Sequence, residues 1–527
     1  MVNLTINHIA AEVEEGTSVM EAAAMLGITI PSMCFSKGFT NHPSCMICLV
    51  QDIDRDQLFP SCAMPVSDGM NILTDSPEVK DARREALELL LSDHVGDCEA
   101  PCRLSCPAYM DIPLMNRLIA SGDFNHALRI VREEIALPLT LGYICAAPCE
   151  KACKRKQIDQ PVSICLLKRS AAQHANVEYS GIPDLPDPNG KKTAIIGAGP
   201  AGLAAAFYLI RAGYSCVVYD EHEKAGGAMQ YEIPEDQLPK AMLDAEIEII
   251  RKMGAEFRLG IAISGEVFQQ AILPNFDAVI LATGRMLPEI ADIFGIQPDE
   301  QGNYYHATTF STSIPGVFVC GNISRQATMA VQSVARGKLA AKQVEIFLGT
   351  QIAAEELHHS VSRTGALFQP EWSEYLKESI PDHRVEPAQG ALTGFSGEEA
   401  MHEARRCLHC DCRKPLTCKL RKYSEEYQAN RKRFAGPGRK LLTKSWQHEL
   451  VVYESEKCIR CGLCVEITLK HGESVGLAFA GRGFDVRISV PFNETVREAV
   501  TSAAAECARE CPTGALAMKN QEERSDL

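Results

Sequence analysis

Residues 191–220 read KKTAIIGAGPAGLAAAFYLIRAGYSCVVYD. The run 191–196 has the make-up of a short buried strand. GAGPAG follows, with Gly197, Gly199 and Gly202, and an apolar helix over 203–212 stops at Gly213. CVVYD supplies a second strand that closes on Asp220. This is the strand–turn–helix–strand setting in which a G-x-G-x-x-G run binds a dinucleotide. The glycines let backbone approach a pyrophosphate, and the helix N-terminus favours its negative charge. Asp220, about 20 residues on, takes a ribose hydroxyl.

The chain around this segment has 527 residues, enough for about three to five domains. A net charge of -15 argues against nucleic acid or an anionic membrane as the main partner, because both favour basic patches. With 46% hydrophobic residues there is apolar surface for several cores, which excludes general disorder. The start MVNLTINHIAAEVEEG lacks the basic and apolar regions of a secretory signal. No run approaches the roughly 20 apolar residues of a spanning helix. A soluble, cytoplasmic protein is expected. In that reducing compartment the 22 cysteines point to metal rather than to disulfides.

The cysteines fall into groups. After a strand-forming start at 2–9, Ser18 caps a helix expected over 19–26, and Cys34, Cys45, Cys48 and Cys62 follow as C-x10-C-x2-C-x13-C. Zinc sites usually bring two C-x2-C knuckles and this segment has one, so the spacing favours a [2Fe-2S] cluster over zinc. An amphipathic helix over 78–92 leads to His94, Cys98, Cys102 and Cys106, and a second group holds Cys145, Cys149 and Cys153. His94 also suits a helix C-terminus as a simple cap. A helix over 398–406 precedes Cys407, Cys410, Cys412 and Cys418, which can close one site, either [4Fe-4S] or structural zinc. The basic stretch after it reads as a solvated face or a dock for an acidic partner. Finally Cys458, Cys461 and Cys464 pair with the distant Cys511 as one [4Fe-4S] site, leaving Cys507 as a remnant or free thiol.

These motifs carry two resemblances. The N-terminal cysteine spacing, LLLSDHVGDC and GRGFDVRISVPF resemble the large iron–sulfur subunit of respiratory complex I and its hydrogenase relatives. The two cysteine segments of 98–153, AGGAMQYEIPEDQLPK, FDAVILATG and PGVFVCGNISRQATMAVQSVARGKLAA resemble the glutamate synthase small subunit. Dihydropyrimidine dehydrogenase and the large subunit of NADH-dependent ferredoxin:NADP oxidoreductase share that pattern. The second resemblance implies FAD, held by Gly197, Gly199, Pro200, Ala201, Gly202, Asp220, Gly226, Gly227, Thr283, Gly284, Gly321, Asn322, Met329 and Ala330. Asn322 stands where the family has Asp. It further implies two helical-domain [4Fe-4S] clusters, one on His94, Cys98, Cys102 and Cys153, the other on Cys106, Cys145 and Cys149. The family's Gln or Glu fourth ligand is replaced by Lys168, which cannot ligate iron; Cys165 is an alternative, or an ordinary buried cysteine.

The expected architecture is multidomain α+β and α/β. A β-grasp [2Fe-2S] domain (1–75) precedes a helical iron–sulfur domain (76–180) and a Rossmann-like FAD domain (190–350). A connector (351–400), a cysteine-rich segment (401–430) and a ferredoxin-like [4Fe-4S] domain (445–520) follow. The resemblance calls for a nicotinamide domain between Gly284 and Gly316, yet only 285–315 lie there, and one βαβ unit already needs about 30 residues. The expectation is therefore an electron-transfer subunit of a multisubunit oxidoreductase with FAD, one [2Fe-2S] and about four [4Fe-4S] clusters. A diaphorase-type NAD(P)H subunit would stand at one end and ferredoxin, hydrogenase or formate dehydrogenase at the other, with flavin-based bifurcation open. The alternatives are a self-sufficient NAD(P)H oxidoreductase or glutamate synthase small subunit, and a redox sensor or cluster scaffold without turnover. No side-chain constellation marks a catalytic acid, base or nucleophile.

Overall fold

Alternation along Val2–Ile6 (β1), with Val2, Leu4 and Ile6 buried, starts a five-stranded sheet. Ile9–Val13 (β2), Leu49–Asp52 (β3), Gln57–Pro60 (β4) and Met70–Leu73 (β5) complete it in the order β2-β1-β5-β3-β4. β1 and β5 are parallel and the other pairs antiparallel. The helix Val19–Met25 seats Val19, Met20, Ala22 and Ala23 in the core of this sheet. Ser18 and Glu21 cap it reciprocally, satisfying two backbone donors that the first turn leaves free. The result is the expected β-grasp. The computed structural model describes the chain except for 176–184, 285–288, 323–328, 351–361, 437 and 520–527.

Helix Pro77–Asp93 starts from Ser76, whose hydroxyl accepts the Val79 N–H, and buries Val79, Leu87 and Leu91. Farther on, Asp111 and Asp123 cap Ile112–Ala120 and Phe124–Glu134. These two helices pack with Pro138–Ile144 and Ile164–His174 into a helical layer.

The fingerprint segment nucleates a second sheet. Lys192–Ile196 (β6), Ser215–Asp220 (β7), Glu256–Leu259 (β8), Ala278–Leu281 (β9) and Val317–Val319 (β10) run parallel in the order β10-β9-β6-β7-β8. β9 and β10 are buried along their whole lengths, as strands covered on both faces must be. The chain leaves β6 towards β7 and β8, then returns to β9 on the other side of β6. That reversal opens a crevice at the strand C-termini. Helices Pro200–Arg211 and Ala330–Phe347 cross closely beside it. The crossing needs Gly337, because a Cβ there would sit 2.2 Å from the Ala201 carbonyl oxygen. β9 pairs directly with β10, Val279 opposite Val317, and among the described residues no further parallel sheet lies between them.

At the C-terminal end, Val451–Tyr453 (β11) pairs antiparallel with Leu516–Met518 (β14), and Ala478–Ala480 (β12) with Arg487–Ser489 (β13). Helices Leu463–Lys470 and Ala504–Glu510 join them around Val451, Ile467, Leu477 and Ile488. The chain forms two compact units: Met1–Ala100 with Glu355–Glu378 and His409–Leu527, and Pro101–Ala354 with Ser379–Leu408. No helix of the described residues is long and apolar enough to cross a membrane.

The Gly337 contact makes a test. Gly337→Val forces two helices apart in a well-packed layer, at a cost of roughly 1–3 kcal/mol. A urea unfolding midpoint equal to wild type would show that the helices do not depend on this approach.

Candidate functional site

The crevice beside β6 is a cleft of about 940 Å³, at the upper end of the range for ligand sites. Gly197, Gly199, Pro200 and Ala201 line one wall. Helix Pro200–Arg211 starts from Gly199 with no side-chain cap, so its first N–H groups are left for a ligand. Gly202 is fixed by packing: a Cβ would lie 1.9 Å from the Gly197 carbonyl oxygen. Asp220 ends β7 in the cleft. One carboxylate oxygen accepts the Ala198 N–H at 2.6 Å and the other accepts the His222 N–H at 2.9 Å. The acid thus holds the phosphate loop in shape as well as facing the ligand space. Gly226 donates its N–H to the Ala198 carbonyl at 2.8 Å, tying the second glycine pair to the same loop, and Gly227 lines the cleft. Gly284, Gly321 and Asn322 face it as well. So does Thr283, whose buried hydroxyl has no hydrogen-bond partner. Such an orphan, with free helix N–H groups, fits a polar dinucleotide. Met329 and Ala330 instead open helix Ala330–Phe347 from a position outside the lining. The sequence reading missed His222, Tyr231, Ser264 and Ser333, which also line the cleft; nothing in their spacing marks them.

The N-terminal cysteines form the tightest sulfur group. Cys34, Cys45, Cys48 and Cys62 are all buried, and the Cys34 and Cys45 sulfurs lie 3.3 Å apart. Asn41 and Ser61 hold the loop by donating to the Cys62 and Cys48 carbonyls at 2.7 Å. The thiols polarise one another: Cys45 and Cys62 lower Cys34, Cys62 brings Cys48 down to about 7, and Cys45 and Cys62 rise in turn.

A second cavity gathers His94, Cys98, Cys412 and Cys418. This regroups two ligand sets expected from sequence. Helix Pro77–Asp93 ends at His94 and the next begins at Pro101, so the x3 spacing from 94 to 106 is not one continuous helical face. Cys98 sits in the intervening loop, its N–H on the Ser362 carbonyl at 3.1 Å and its carbonyl accepting the Cys412 N–H at 3.4 Å. His94 occupies the C-cap position, but its buried Nδ1 lacks a partner and burial drives its pKa down to about 4. It is a neutral imidazole with a ring nitrogen to offer. Burial pushes Cys98 up to about 11 and Cys418 to about 12. Lys457 and Arg421 line the same space, and Gly514 leaves room for Cys412, whose sulfur would lie 2.4 Å from a Cβ there.

A third cavity is lined by Cys458, Cys461, Cys464 and Cys511, grouped as the spacing implied. The Arg460 N–H points at the Cys458 sulfur at 3.3 Å. Cys507 is apart, buried in the core with its thiol 3.8 Å from the Cys464 carbonyl. In the second unit, Cys106, Cys145 and Cys149 line a fourth cavity together with Cys165 and Lys168. Cys102 and Cys153 stand on or at the end of two packed short helices. Arg155 donates to the Arg406 carbonyl at 2.8 Å, next to Cys407. Cys410 belongs to the first unit. Among the described residues no three His, Cys, Asp or Glu side chains meet as the ligands of a single ion do. The groups surround spaces instead.

Two expectations follow. His94→Ala and Cys412→Ala should remove the same component of the reduced EPR spectrum, and Cys102→Ala a different one. Loss of one shared component in His94→Ala and Cys102→Ala would restore the grouping read from sequence. Because burial raises Cys98, Cys412, Cys418, Cys458, Cys461 and Cys464, these thiols are protonated near neutrality and must lose protons to bind iron. Iron uptake should weaken steadily as pH falls from about 8.5 to about 6.5, and pH-independent uptake would contradict the buried, neutral thiols.

Three family models match in succession. Residues 1–77 match a 2Fe-2S iron-sulfur cluster binding domain, 79–179 dihydropyrimidine dehydrogenase domain II with its 4Fe-4S cluster, and 195–257 an NAD(P)-binding Rossmann-like domain. Among curated proteins the chain is similar to NADPH-Fe(3+) oxidoreductase subunit beta of Geobacter sulfurreducens, 39% identical over 35% of this chain and 28% of that one. It is 32% identical to NADP(+)-dependent formate dehydrogenase subunit beta of Moorella thermoacetica, over 41% of this chain and 32% of the relative. It is 35% identical to the NADPH glutamate synthase small chain of Mycobacterium tuberculosis, over 36% and 39%. The chain therefore spans less than two fifths of each of these relatives. Along it run a 2Fe-2S domain, a helical 4Fe-4S domain and a Rossmann-like domain built on a parallel sheet.

Proposed function

We propose that the chain is an FAD- and iron–sulfur-containing electron-transfer subunit of a multisubunit cytoplasmic oxidoreductase. It moves electrons between a nicotinamide-handling partner of diaphorase type and a ferredoxin, hydrogenase or formate dehydrogenase. One observation carries this reading: a dinucleotide cleft and several sulfur-lined cavities share a chain in which β9 pairs directly with β10. Two relatives are named as beta subunits of NADPH-Fe(3+) oxidoreductase and NADP(+)-dependent formate dehydrogenase, which supports a subunit of such an assembly.

In this reading the helix N-terminus at Gly199–Ala201 and the loop shaped by Asp220 hold the FAD pyrophosphate and ribose, with Thr283 and Asn322 facing the same ligand. Cys34, Cys45, Cys48 and Cys62 hold the [2Fe-2S] cluster. The sets His94/Cys98/Cys412/Cys418 and Cys458/Cys461/Cys464/Cys511 each hold a [4Fe-4S] cluster, and the cavity of Cys106, Cys145 and Cys149 another. Of the cysteines expected as ligands, Cys102, Cys153, Cys407 and Cys410 line none of these cavities. When bound, FAD exchanges electrons in pairs or singly, and the clusters exchange them singly. The protein's part is to bury the ligands, exclude water and supply neighbouring cations.

The match of 195–257 to an NAD(P)-binding model favours a second reading, in which the cleft takes NAD(P)H itself. Acid release and identification of the bound nucleotide separates the two, with FAD expected. In anaerobic stopped flow, neither NADH nor NADPH alone should bleach the flavin, whereas an added diaphorase subunit with NADH should. Rapid bleaching by either nucleotide alone would return the chain to the self-sufficient reductases. Asp220→Ala should weaken flavin retention by about tenfold or more, as loss of a charged hydrogen-bond partner does.

A further inference from the structure

The fourth cavity contains a feature that the ligand pattern of its sequence relatives does not explain. Helix Ile164–His174 places Cys165 and Lys168 one turn apart on one face. Both point into the space lined by Cys106, Cys145 and Cys149. The wall is otherwise apolar, with Met110, Ile135, Ile164 and Val331. Lys168 is only 3% exposed, and no carboxylate among the described residues forms an ion pair with it. An ammonium in an apolar wall with no counter-charge costs several kcal/mol, so a site built this way lacks an anion. A thiol that keeps its proton does not supply one. Four thiolates bound to iron and sulfide do, since an all-thiolate cluster is anionic and becomes more so on reduction.

We propose that Cys106, Cys145, Cys149 and Cys165 ligate one [4Fe-4S] cluster in the second unit, with Lys168 as its buried counter-ion and a determinant of its potential. The assignment rests on the reading of this helical segment as cluster-binding. As each Fe–S bond forms, the cysteine thiol releases its proton to solvent, and the site passes from an uncompensated cation to a compensated one. Lys168 cannot itself bind iron while protonated. It is a positioning residue that acts through its charge, and it favours the reduced cluster over the oxidised one because the reduced form carries more negative charge.

The test uses the full chain, purified and reconstituted anaerobically with iron and sulfide, and reads iron content, EPR and redox titration rather than turnover. Cys165→Ala should lose one cluster's share of iron and one component of the reduced EPR spectrum, while Cys165→Ser keeps that component with altered g-values. Cys216→Ala, a buried cysteine outside every cavity named above, serves as the control and should match wild type. Lys168→Met should keep the iron but shift the midpoint of that same component to lower potential, and Lys168→Arg should restore it towards wild type. A Cys165→Ala protein with full iron and an unaltered spectrum would overturn the ligand assignment alone. Unmoved midpoints in Lys168→Met would overturn the counter-ion role. A wild-type chain whose only clusters lie elsewhere, with this component absent, would overturn the inference and leave the proposed relay standing. A chain that takes up no iron at all would overturn both.

Discussion

Burial keeps a thiol from ionising, and this constraint shapes the cavities lined by Cys98, Cys418, Cys458 and Cys461, whereas in the N-terminal group neighbouring thiols lower Cys34 and Cys48. Burial pushes Cys98, Cys106, Cys153, Cys418 and Cys458 above the ordinary thiol range. The cations are already in place beside them. Lys414 lines the His94 cavity with its ammonium bonded to the carbonyls of Ala508, Arg509 and Cys511 at 2.8, 3.0 and 2.8 Å. Lys457 is neutralised by Glu454, and Arg421 by Glu99 at 2.8 Å. Iron binding at such buried thiols would release their protons, and so would depend on pH.

The dinucleotide cleft follows a different logic, since nothing in it waits for a partner charge. Its phosphate loop is closed by Asp220 through Ala198, and the glycines are fixed by contacts with backbone rather than by flexibility. A preorganised loop of this kind costs little to load. The short connection from β9 to β10 keeps this sheet to five strands, with the crevice at its switch point.

What could be read from sequence was local. The fingerprint, its strands and its acid lie within 30 residues, and their spacing dictates their contacts; only the helix start moved, to Pro200, because proline at the first turn is preorganised for it. The helix to His94 was legible for the same reason, as was the Cys458 group, whose ligands obey a repeated spacing. The grouping of His94 and Cys98 with Cys412 and Cys418 was not. The resemblance grouped His94, Cys98 and Cys102 with Cys153, but the helix stops at His94 and Pro101 starts a new one. Cys165 was ambiguous because an apolar cysteine and a ligand look alike until the opposing wall is known. The role of Lys168 becomes visible only when its burial is.

The His94 cavity shows how such a chain can be assembled at small energetic expense. Its ligands lie as His94-x3-Cys98 and Cys412-x5-Cys418, with roughly 300 residues between the two halves, including nearly all of the second unit. Closing a loop costs free energy that grows only as the logarithm of its length, about 0.6 kcal/mol for each doubling. Relative to a loop of a few residues, the insertion adds about six doublings, on the order of 4 kcal/mol. Metal binding at structural thiolate sites supplies roughly 10–16 kcal/mol, well above that figure. A metal centre held by His94, Cys98, Cys412 and Cys418 would therefore offset the closure of the long loop between its two halves.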